Sequence, residues 1–322
     1  MKILSKKDVQ VPADVPANMK EIYAANFLKM THNTGRLMLF AGDQKIEHLN
    51  DDFYGNTKLG QIPLECNNPE HLFRIASSSK IGVFATQLGL IAKYIGYNSD
   101  YKNLPYLVKL NSKSHLVKNE QKDPLSEALW NVDDVAEFKK NSKADIMAVG
   151  YTVYVGSEFE GIMLKEAAQI VYNAHKNGLL SVLWMYPRGK AVGSKDDELK
   201  AHIVAGAAGV GSCLGADFVK VNYPKEEGKK SEEIFKEAIE SAGITKVITS
   251  GGSSKNPKQF LEETWNQIHV SGAVGNATGR NIHQKPLNEA IRMANAVYGI
   301  TVEDKSVEDA YKIYQGSSNA SK

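Results

Sequence analysis

Eight short apolar runs, separated by helix-like stretches, constrain the fold of this chain most strongly. They are almost continuously apolar instead of alternating, which is typical of strands buried on both faces of a parallel sheet. One run recurs roughly every 25–45 residues, a spacing that indicates right-handed strand–helix–strand units. The predicted strands comprise residues 37–41, 81–85, 106–110, 146–149, 180–185, 218–221, 246–249 and 270–274.

Amphipathic segments with helix start and stop signals lie between these runs. Residues 160–177 carry apolar side chains at helical spacing and end before Gly178, and residues 231–241 begin with Ser-Glu-Glu. Eight such units favour a closed (β/α)8 TIM barrel over an open doubly wound sheet. The 322 residues accommodate one barrel, which typically needs ~250 residues, together with decorations.

We therefore predict a single α/β domain, one (β/α)8 barrel over residues 1–322. Residues 1–35 are predicted to form an N-terminal extension whose helix, 17–30, covers the bottom of the barrel. A short helix is predicted at 133–140, and the polar tail 316–322 is predicted to be disordered. Residues 206–215 resemble a dinucleotide fingerprint, but they precede a strand and have the wrong glycine spacing, which favours a helix packed on the barrel.

Composition excludes several classes of function. The 39 basic and 37 acidic residues nearly balance, which argues against a nucleic-acid binder. Two isolated cysteines, Cys66 and Cys213, favour a reducing, cytoplasmic setting without disulfides. No apolar run reaches the ~18 residues of a membrane helix, so no membrane partner is expected. The histidines are scattered, so we expect neither a metal ion nor another cofactor.

Polar residues follow six of the eight predicted strands. In a (β/α)8 barrel the carboxyl ends of the strands form the active site, so this distribution predicts a site at that end. The residues after or at the strand ends include Asp43, Lys109, the segment 184–189, Lys220, the segment 250–253 and the segment 275–281.

Lys220 stands out because it lies inside an otherwise apolar strand. Burial without a partner is costly for an ammonium group and lowers its pKa, which yields a nucleophilic amine able to attack a carbonyl. Asp43 and Tyr186 are candidate proton carriers at the same rim. The ordinary alternatives are an ion-paired or rim-directed lysine, a helix cap for Asp43 and a core aromatic for Tyr186.

Two glycine-containing loops predict a phosphate site. Ser250-Gly251-Gly252 follows the seventh strand, and Gly279-Arg280 follows the eighth. Barrels often bind phosphate at these two loops, through backbone N–H groups and a cation. Candidates for holding a second phosphate are Lys109, Arg188 and Lys255.

Several motifs together resemble the archaeal-type class I fructose-bisphosphate aldolases, a family that includes bacterial members. The resemblance spans residues 37–298. The motifs are Gly42-Asp43-Gln44-Lys45-Ile46-Glu47-His48, Trp184-Met185-Tyr186-Pro187-Arg188-Gly189, Asp217-Phe218-Val219-Lys220-Val221-Asn222-Tyr223, Ser250-Gly251-Gly252 and Gly279-Arg280-Asn281-Ile282.

The resemblance implies roles for individual residues. Lys220 would form the Schiff base, Tyr186 would transfer a proton, and Asp43 would handle the proton of a substrate hydroxyl. Trp184 would line the pocket. The phosphate next to the ketone would be bound by Ser250, Gly251, Gly252, Gly279 and Arg280.

The resemblance also implies a lyase of glycolysis and gluconeogenesis that works without a metal. It would reversibly cleave fructose 1,6-bisphosphate, its phosphorylated sugar partner, into dihydroxyacetone phosphate and glyceraldehyde 3-phosphate. Family members are usually homo-oligomers, often decamers. The chain has Asp43-Gln44-Lys45 where the family usually has Asp-His-Gly. A Schiff-base transaldolase-like synthase, a thiolase acting on another phosphorylated ketose and a non-catalytic sugar-phosphate-binding barrel stay open as alternatives.

Overall fold

A computed structural model of the chain describes residues 2–317, and the predicted disordered tail lies outside these described residues from position 318 onward. Eight parallel strands close into a barrel in the order β1-β8-β7-β6-β5-β4-β3-β2. The predicted (β/α)8 barrel is thereby confirmed. The strands are β1 Leu37–Ala41, β2 Val83–Thr86, β3 Tyr106–Lys109, β4 Ile146–Val155, β5 Leu180–Pro187, β6 Phe218–Val221, β7 Lys246–Ser250 and β8 Gly275–Thr278.

Helices surround the barrel and connect its strands. No helix within residues 2–317 has the length and apolar character needed to cross a membrane. A short antiparallel hairpin, Gly55–Thr57 with Gly60–Ile62, follows β1. The helices are α1 Lys20–Met30, α2 Gln44–Glu47, α3 Glu70–Ser78, α4 Leu88–Tyr97, α5 Val132–Ser142, α6 Glu160–Lys176, α7 Ala201–Cys213, α8 Ser231–Ile234, α9 Lys236–Ala242, α10 Pro257–His269, α11 Arg280–His283, α12 Leu287–Thr301 and α13 Val307–Gln315.

The N-terminal extension closes the bottom of the barrel, as predicted. Helix α1 buries Tyr23, Phe27 and Met30 in the same apolar cluster as the inward-facing strand residues. The Phe27 ring stacks on Phe218, the first residue of β6, with 6.1 Å between the ring centroids. Because Phe218 lies at the amino end of its strand, α1 seals the end of the barrel opposite to the carboxyl ends of the strands.

The eighth strand lies later in the chain than its predicted position at 270–274. Residues 270 and 271 instead form the turn directly after α10, where both backbone N–H groups donate to the Asn266 carbonyl. The strand itself, Gly-Asn-Ala-Thr, has polar side chains, which hid it from a search for apolar runs. Asn276 donates to Thr301 Oγ1 at 2.7 Å and accepts from Thr278 at 2.9 Å, so these buried groups are satisfied.

The fourth strand is longer than predicted and runs to Val155 instead of residue 149. Its added half is fully paired with β5, up to Val155 opposite Pro187. The glycine-rich segment 206–215 forms most of α7, as predicted. Gly211 packs directly on β5 and β6, where an added Cβ would lie 2.9 Å from Met185 Cγ and overlap Val219.

A buried histidine ties the N-terminal extension to the barrel. His175 Nδ1 lies 2.9 Å from Asp14 in the extension, and Nε2 lies 3.2 Å from Asp217, which precedes β6. Burial disfavours a charged imidazole, but the hydrogen bonds and charges of Asp217 and Asp14 outweigh it and raise the pKa of His175 to about 8. Protonated His175 therefore holds the two segments together.

Replacement of His175 by Gln should remove a pH-dependent part of the stability. The raised pKa of His175 adds to the free energy of unfolding. This contribution is complete below the unfolded pKa of about 6.5 and is lost as the pH rises through the folded pKa of about 8. The shift corresponds to ~2 kcal/mol at low pH. Urea unfolding should show a gap between wild type and variant that narrows from pH 6.5 to above 8. A gap independent of pH, or the same trend in the exposed control His202→Gln, would contradict this assignment.

Candidate active site

A cavity of about 690 Å³ opens at the carboxyl ends of the strands. Six strands or the loops after them deliver polar groups to it, because parallel strands in a closed barrel all end on the same face. Most of the residues predicted for the site are brought together here. Those that line the cavity are Asp43, Trp184, Tyr186, Arg188, Lys220, Ser250, Gly251, Gly252, Gly279 and Arg280.

The side chain of Lys220 projects into this cavity from β6. It is 5% exposed, and among residues 2–317 its ammonium group has no hydrogen-bond or salt-bridge partner. Its Nζ lies 4.9 Å from the centroid of the Trp184 ring. Burial lowers the pKa of Lys220, while the charges of Asp43 and Glu47 act in the opposite direction. The ion-paired alternative is therefore not what the structure shows, and the amine is free to react.

Lys109 lies at the end of β3, but its side chain does not reach the cavity, as a phosphate ligand would have to. It is 2% exposed and does not line the cavity. Its Nζ donates to both the backbone and the side-chain oxygen of Asn111 at 2.7 Å, and it lies 5.3 Å from the Trp184 ring. Burial lowers the pKa of Lys109 to about 8. Because its donors are engaged below the cavity surface, its position does not support a phosphate contact.

Asp43 and Tyr186 both face the cavity. Asp43 stands at the N-cap of α2, yet its side chain makes no capping hydrogen bond, and its buried Oδ1 has no partner among the described residues. That oxygen is available to accept a substrate proton. Burial and the negative charges of Glu47 and Asp43 raise the pKa of Tyr186, so its hydroxyl stays protonated and can donate.

The loops after β7 and β8 are fixed against each other by Asn281. Its amide donates to the carbonyls of Gly251 and Ser253 at 3.0 and 3.2 Å, and its oxygen accepts from the Lys255 backbone at 2.9 Å. Arg280 Nε donates to the Gly252 carbonyl at 3.1 Å. The two loops therefore present backbone and guanidinium groups in one preformed arrangement, which suits an anion.

The other candidates for a second phosphate lie apart from each other. Arg188 lines the cavity, with its guanidinium carbon 5.4 Å from the Tyr154 ring and 5.9 Å from the Tyr186 ring. Lys255 does not line this cavity and forms an ion pair with Glu263. Of the three candidates Lys109, Arg188 and Lys255, only Arg188 is therefore placed to reach a ligand in the cavity.

Sequence reasoning missed part of the cavity wall. Glu47 Oε1 accepts from the Tyr154 hydroxyl at 2.6 Å and lies 3.0 Å from His115 Nε2. Burial disfavours the Glu47 carboxylate, but hydrogen bonds from His115 and Tyr154 and the charge of Lys109 hold its pKa below the usual range. The adjacent pair Glu47-His48 was the available signal. Tyr154 was missed because the fourth strand was predicted too short.

Gln44 stands where the resembling family usually has histidine. Its Oε1 lies 3.0 Å from His283 Nε2, so the side chain links α2 to α11 after β8. This link uses the space beside Gly279, where an added Cβ would overlap Gln44 Oε1 and lie 2.8 Å from the Ala41 carbonyl oxygen. Gly279 has an ordinary φ of −116°, so close packing, and not backbone strain, requires glycine there.

Substitution of Gly279 by Ala should therefore destabilise the chain by ~1–3 kcal/mol through overpacking. The matched control is Gly206→Ala in α7, where an added Cβ meets nothing within 4 Å. That control should gain ~0.5–1 kcal/mol, because alanine favours a helix. Chemical unfolding of both variants measures the difference. Equal stability of the two variants would contradict the close approach at Gly279.

Comparison with known proteins gives a consistent result. A family model described as DeoC/LacD family aldolase matches residues 37–285. A fructose-bisphosphate aldolase/6-deoxy-5-ketofructose 1-phosphate synthase of Methanocaldococcus jannaschii is 57% identical over 316 residues, covering 98% of this chain and 97% of that protein. A class 1 fructose-bisphosphate aldolase of Thermoproteus tenax is 33% identical over 286 residues, covering 88% and 96%.

Two solved structures share the whole barrel. A fructose-bisphosphate aldolase from Slackia heliotrinireducens matches with a TM-score of 0.93 and 48% identity, covering 99% of this chain and 97% of that one. An archaeal fructose-1,6-bisphosphate aldolase, with its catalytic lysine covalently bound to the carbinolamine intermediate, matches with a TM-score of 0.72 and 30% identity, covering 87% and 99%. The chain is thus an enzyme of the lyase class, and it belongs to the DeoC/LacD family of aldolases.

Proposed function

We propose that this enzyme is a class I fructose-bisphosphate aldolase that cleaves its substrate through a Schiff base on Lys220. The observation that carries the proposal is the unpaired, buried amine of Lys220 in a cavity shared with two anion-binding loops. In the archaeal relative described above, a lysine holds the substrate as a carbinolamine. The same chemistry fits the low pKa of the Lys220 ammonium group.

The first half of the reaction forms the iminium. The neutral Lys220 amine attacks the C2 ketone of fructose 1,6-bisphosphate, and the carbinolamine hydroxyl takes a proton from solvent and leaves as water. The positive iminium nitrogen then draws electrons from the bond between C3 and C4. Asp43 accepts the proton of the C4 hydroxyl through its unpartnered Oδ1. The C3–C4 bond breaks, and glyceraldehyde 3-phosphate leaves.

The second half restores the enzyme. The Lys220 enamine takes a proton at C3, which the protonated hydroxyl of Tyr186 is placed to donate, and the proton that Asp43 accepted returns to Tyr186 through solvent. Water then hydrolyses the iminium, and dihydroxyacetone phosphate and the free amine are released. Trp184 lines the cavity with its ring centroid 4.9 Å from the amine, and it would shield that side of the intermediate from water.

The phosphates fix the sugar between the two ends of the cavity. Ser250, Gly251 and Gly252 with Gly279 and Arg280 would bind the phosphate next to the ketone, because Asn281 holds these loops in place. Arg188 would bind the second phosphate from the end of β5. A homo-oligomer, often a decamer in the family, stays a prediction of the family resemblance, and a cytoplasmic location stays a prediction of the cysteine content.

Borohydride with fructose 1,6-bisphosphate should inactivate the enzyme and attach a sugar-derived mass to Lys220. The reagent reduces the iminium to a stable secondary amine. Lys220→Ala should lose labelling and at least ~10³-fold of the turnover, because no other group replaces the covalent nucleophile. Mass spectrometry of peptides locates the label. Turnover should persist in EDTA, since the iminium performs the activation of the carbonyl.

Lys109 provides the internal comparison for this experiment. Lys109 is as deeply buried as Lys220 and also has a lowered pKa, but its ammonium group donates hydrogen bonds to Asn111. Its peptide should stay unlabelled in wild type. Labelling at Lys109, or activity that survives in Lys220→Ala, would overturn the assignment of the nucleophile.

A second candidate reaction is supported by the M. jannaschii relative, which is named for both an aldolase and a synthase. The ketose 6-deoxy-5-ketofructose 1-phosphate contains the same three-carbon phosphorylated donor unit as fructose 1,6-bisphosphate. Its other half is a three-carbon 2-oxo aldehyde without a phosphate. The same Lys220 enamine would attack either aldehyde, so the two reactions differ only in what the acceptor side of the cavity holds.

Kinetics of wild type and Arg188→Gln in the two reactions, cleavage of fructose 1,6-bisphosphate and condensation with the 2-oxo aldehyde, separate these functions. If Arg188 holds the second phosphate, Arg188→Gln should raise KM for fructose 1,6-bisphosphate by ~10–100-fold, a loss of a charge-assisted contact. The synthase reaction with the unphosphorylated 2-oxo aldehyde should change little in KM. Turnover confined to the 2-oxo aldehyde in wild type would establish the synthase and refute cleavage of the bisphosphate.

A further inference from the structure

Three side chains on the cavity wall are arranged as metal ligands, although neither the Schiff base nor the phosphate loops use them. Glu47, His48 and His115 each offer one ligand atom, and these atoms all lie within 4.8 Å of one another. All three residues are half-buried and line the cavity. We propose that they form a binding site for a divalent transition-metal ion.

The backbone brings these residues together without any metal. Glu47 ends α2, and His48 directly follows it. His115 comes from the loop after β3, and its backbone N–H donates to the Glu47 carbonyl at 3.0 Å. The imidazole rings of His48 and His115 lie 4.8 Å apart between centroids. The site is therefore preformed, and metal binding has little chain to order.

Two neighbouring residues orient the ligands, as in known metal sites. The Asp52 carboxylate lies 2.8 Å from His48 Nδ1, which leaves His48 Nε2 for a metal. The Tyr154 hydroxyl donates to Glu47 Oε1 at 2.6 Å. A carboxylate on the far nitrogen of a histidine is the usual partner of a metal-binding imidazole, because it fixes the ring and its tautomer.

The donor set selects the class of metal. Two imidazoles with one carboxylate suit Zn²⁺, Co²⁺ or Fe²⁺, whereas Mg²⁺ and Ca²⁺ prefer oxygen ligands alone. Ligands at ~2.1 Å around a tetrahedral ion lie roughly 3.4 Å apart, so a small inward movement of the three side chains completes the geometry. The remaining coordination position faces the cavity and takes water in the free protein.

The local charges permit a cation at this point. Lys113 and Arg188 lie against the Tyr154 ring, at 5.7 and 5.4 Å, and their charges oppose a metal ion. The carboxylates of Glu47 and Asp52 offset them. The ion would be accessory to catalysis, because the proposed carbonyl activation rests on the Lys220 iminium and needs no metal.

The test is a titration of metal-free enzyme with Co²⁺, in the absence of any sugar. Wild type should bind one Co²⁺ per chain with visible d–d absorption, and isothermal calorimetry gives the affinity. His115→Gln and Glu47→Gln should each weaken binding at least tenfold. The matched control is His202→Gln, which removes an exposed histidine paired with Glu237 elsewhere on the surface, and it should bind as wild type does.

Three results would overturn the proposal. These are wild-type binding weaker than millimolar, a His115→Gln variant that titrates like wild type, and an equal loss in His202→Gln. Circular dichroism and the melting temperature of each variant establish that the fold is kept, and His48→Gln supplies a second test if His115→Gln is unstable. Because no sugar is present, the outcome does not depend on whether the proposed aldolase reaction is correct.

Discussion

Closure of the barrel between β1 and β8 is the constraint on which the site depends. At this seam Leu37 pairs with Gly275, and an added Cβ at Gly275 would overlap the Leu37 carbonyl. Four residues later, an added Cβ at Gly279 would overlap Gln44 Oε1 and lie 2.8 Å from the carbonyl oxygen of Ala41 in β1. Close approach of these two backbones places the loop after β1, which carries Asp43, beside the phosphate-type loops after β7 and β8. Without that seam, Asp43 after β1 and Arg280 after β8 would lie at opposite edges of an open sheet.

The electrostatics of the cavity follow from burying an amine with no partner. A lysine on a strand interior is tolerated because its pKa falls and the neutral form carries no desolvation cost. The structure contains a second buried lysine, Lys109, near the same Trp184 ring, and its hydrogen bonds to Asn111 distinguish it from Lys220. The two residues share their burial and differ in their partners. That difference supports the proposal that Lys220 is the nucleophile.

The wall formed by Glu47, Tyr154 and His115 joins three separate parts of the chain. It links the helix after β1, the end of β4 and the loop after β3 through one carboxylate. Its charge acts on both Lys220 and Tyr186. The wall therefore tunes the proposed chemistry, and the same groups offer nitrogen and oxygen ligands to a metal ion. Glu47 can influence the proposed chemistry and also offer a metal ligand, because Tyr154 and His115 hold its carboxylate in place.

The sequence by itself determined the barrel, the position of Lys220 and the loops around it, because buried parallel strands leave a nearly continuous apolar pattern. It misplaced β8, whose polar side chains are satisfied by partners such as Thr301 that are distant in sequence. It also named Lys109 among three candidates for the second phosphate, since a position at a strand end does not show which partner the side chain binds. Only the tertiary structure decided which polar groups are free and which are already paired. Reactivity depends on that distinction, and it is set by contacts between residues far apart in the chain.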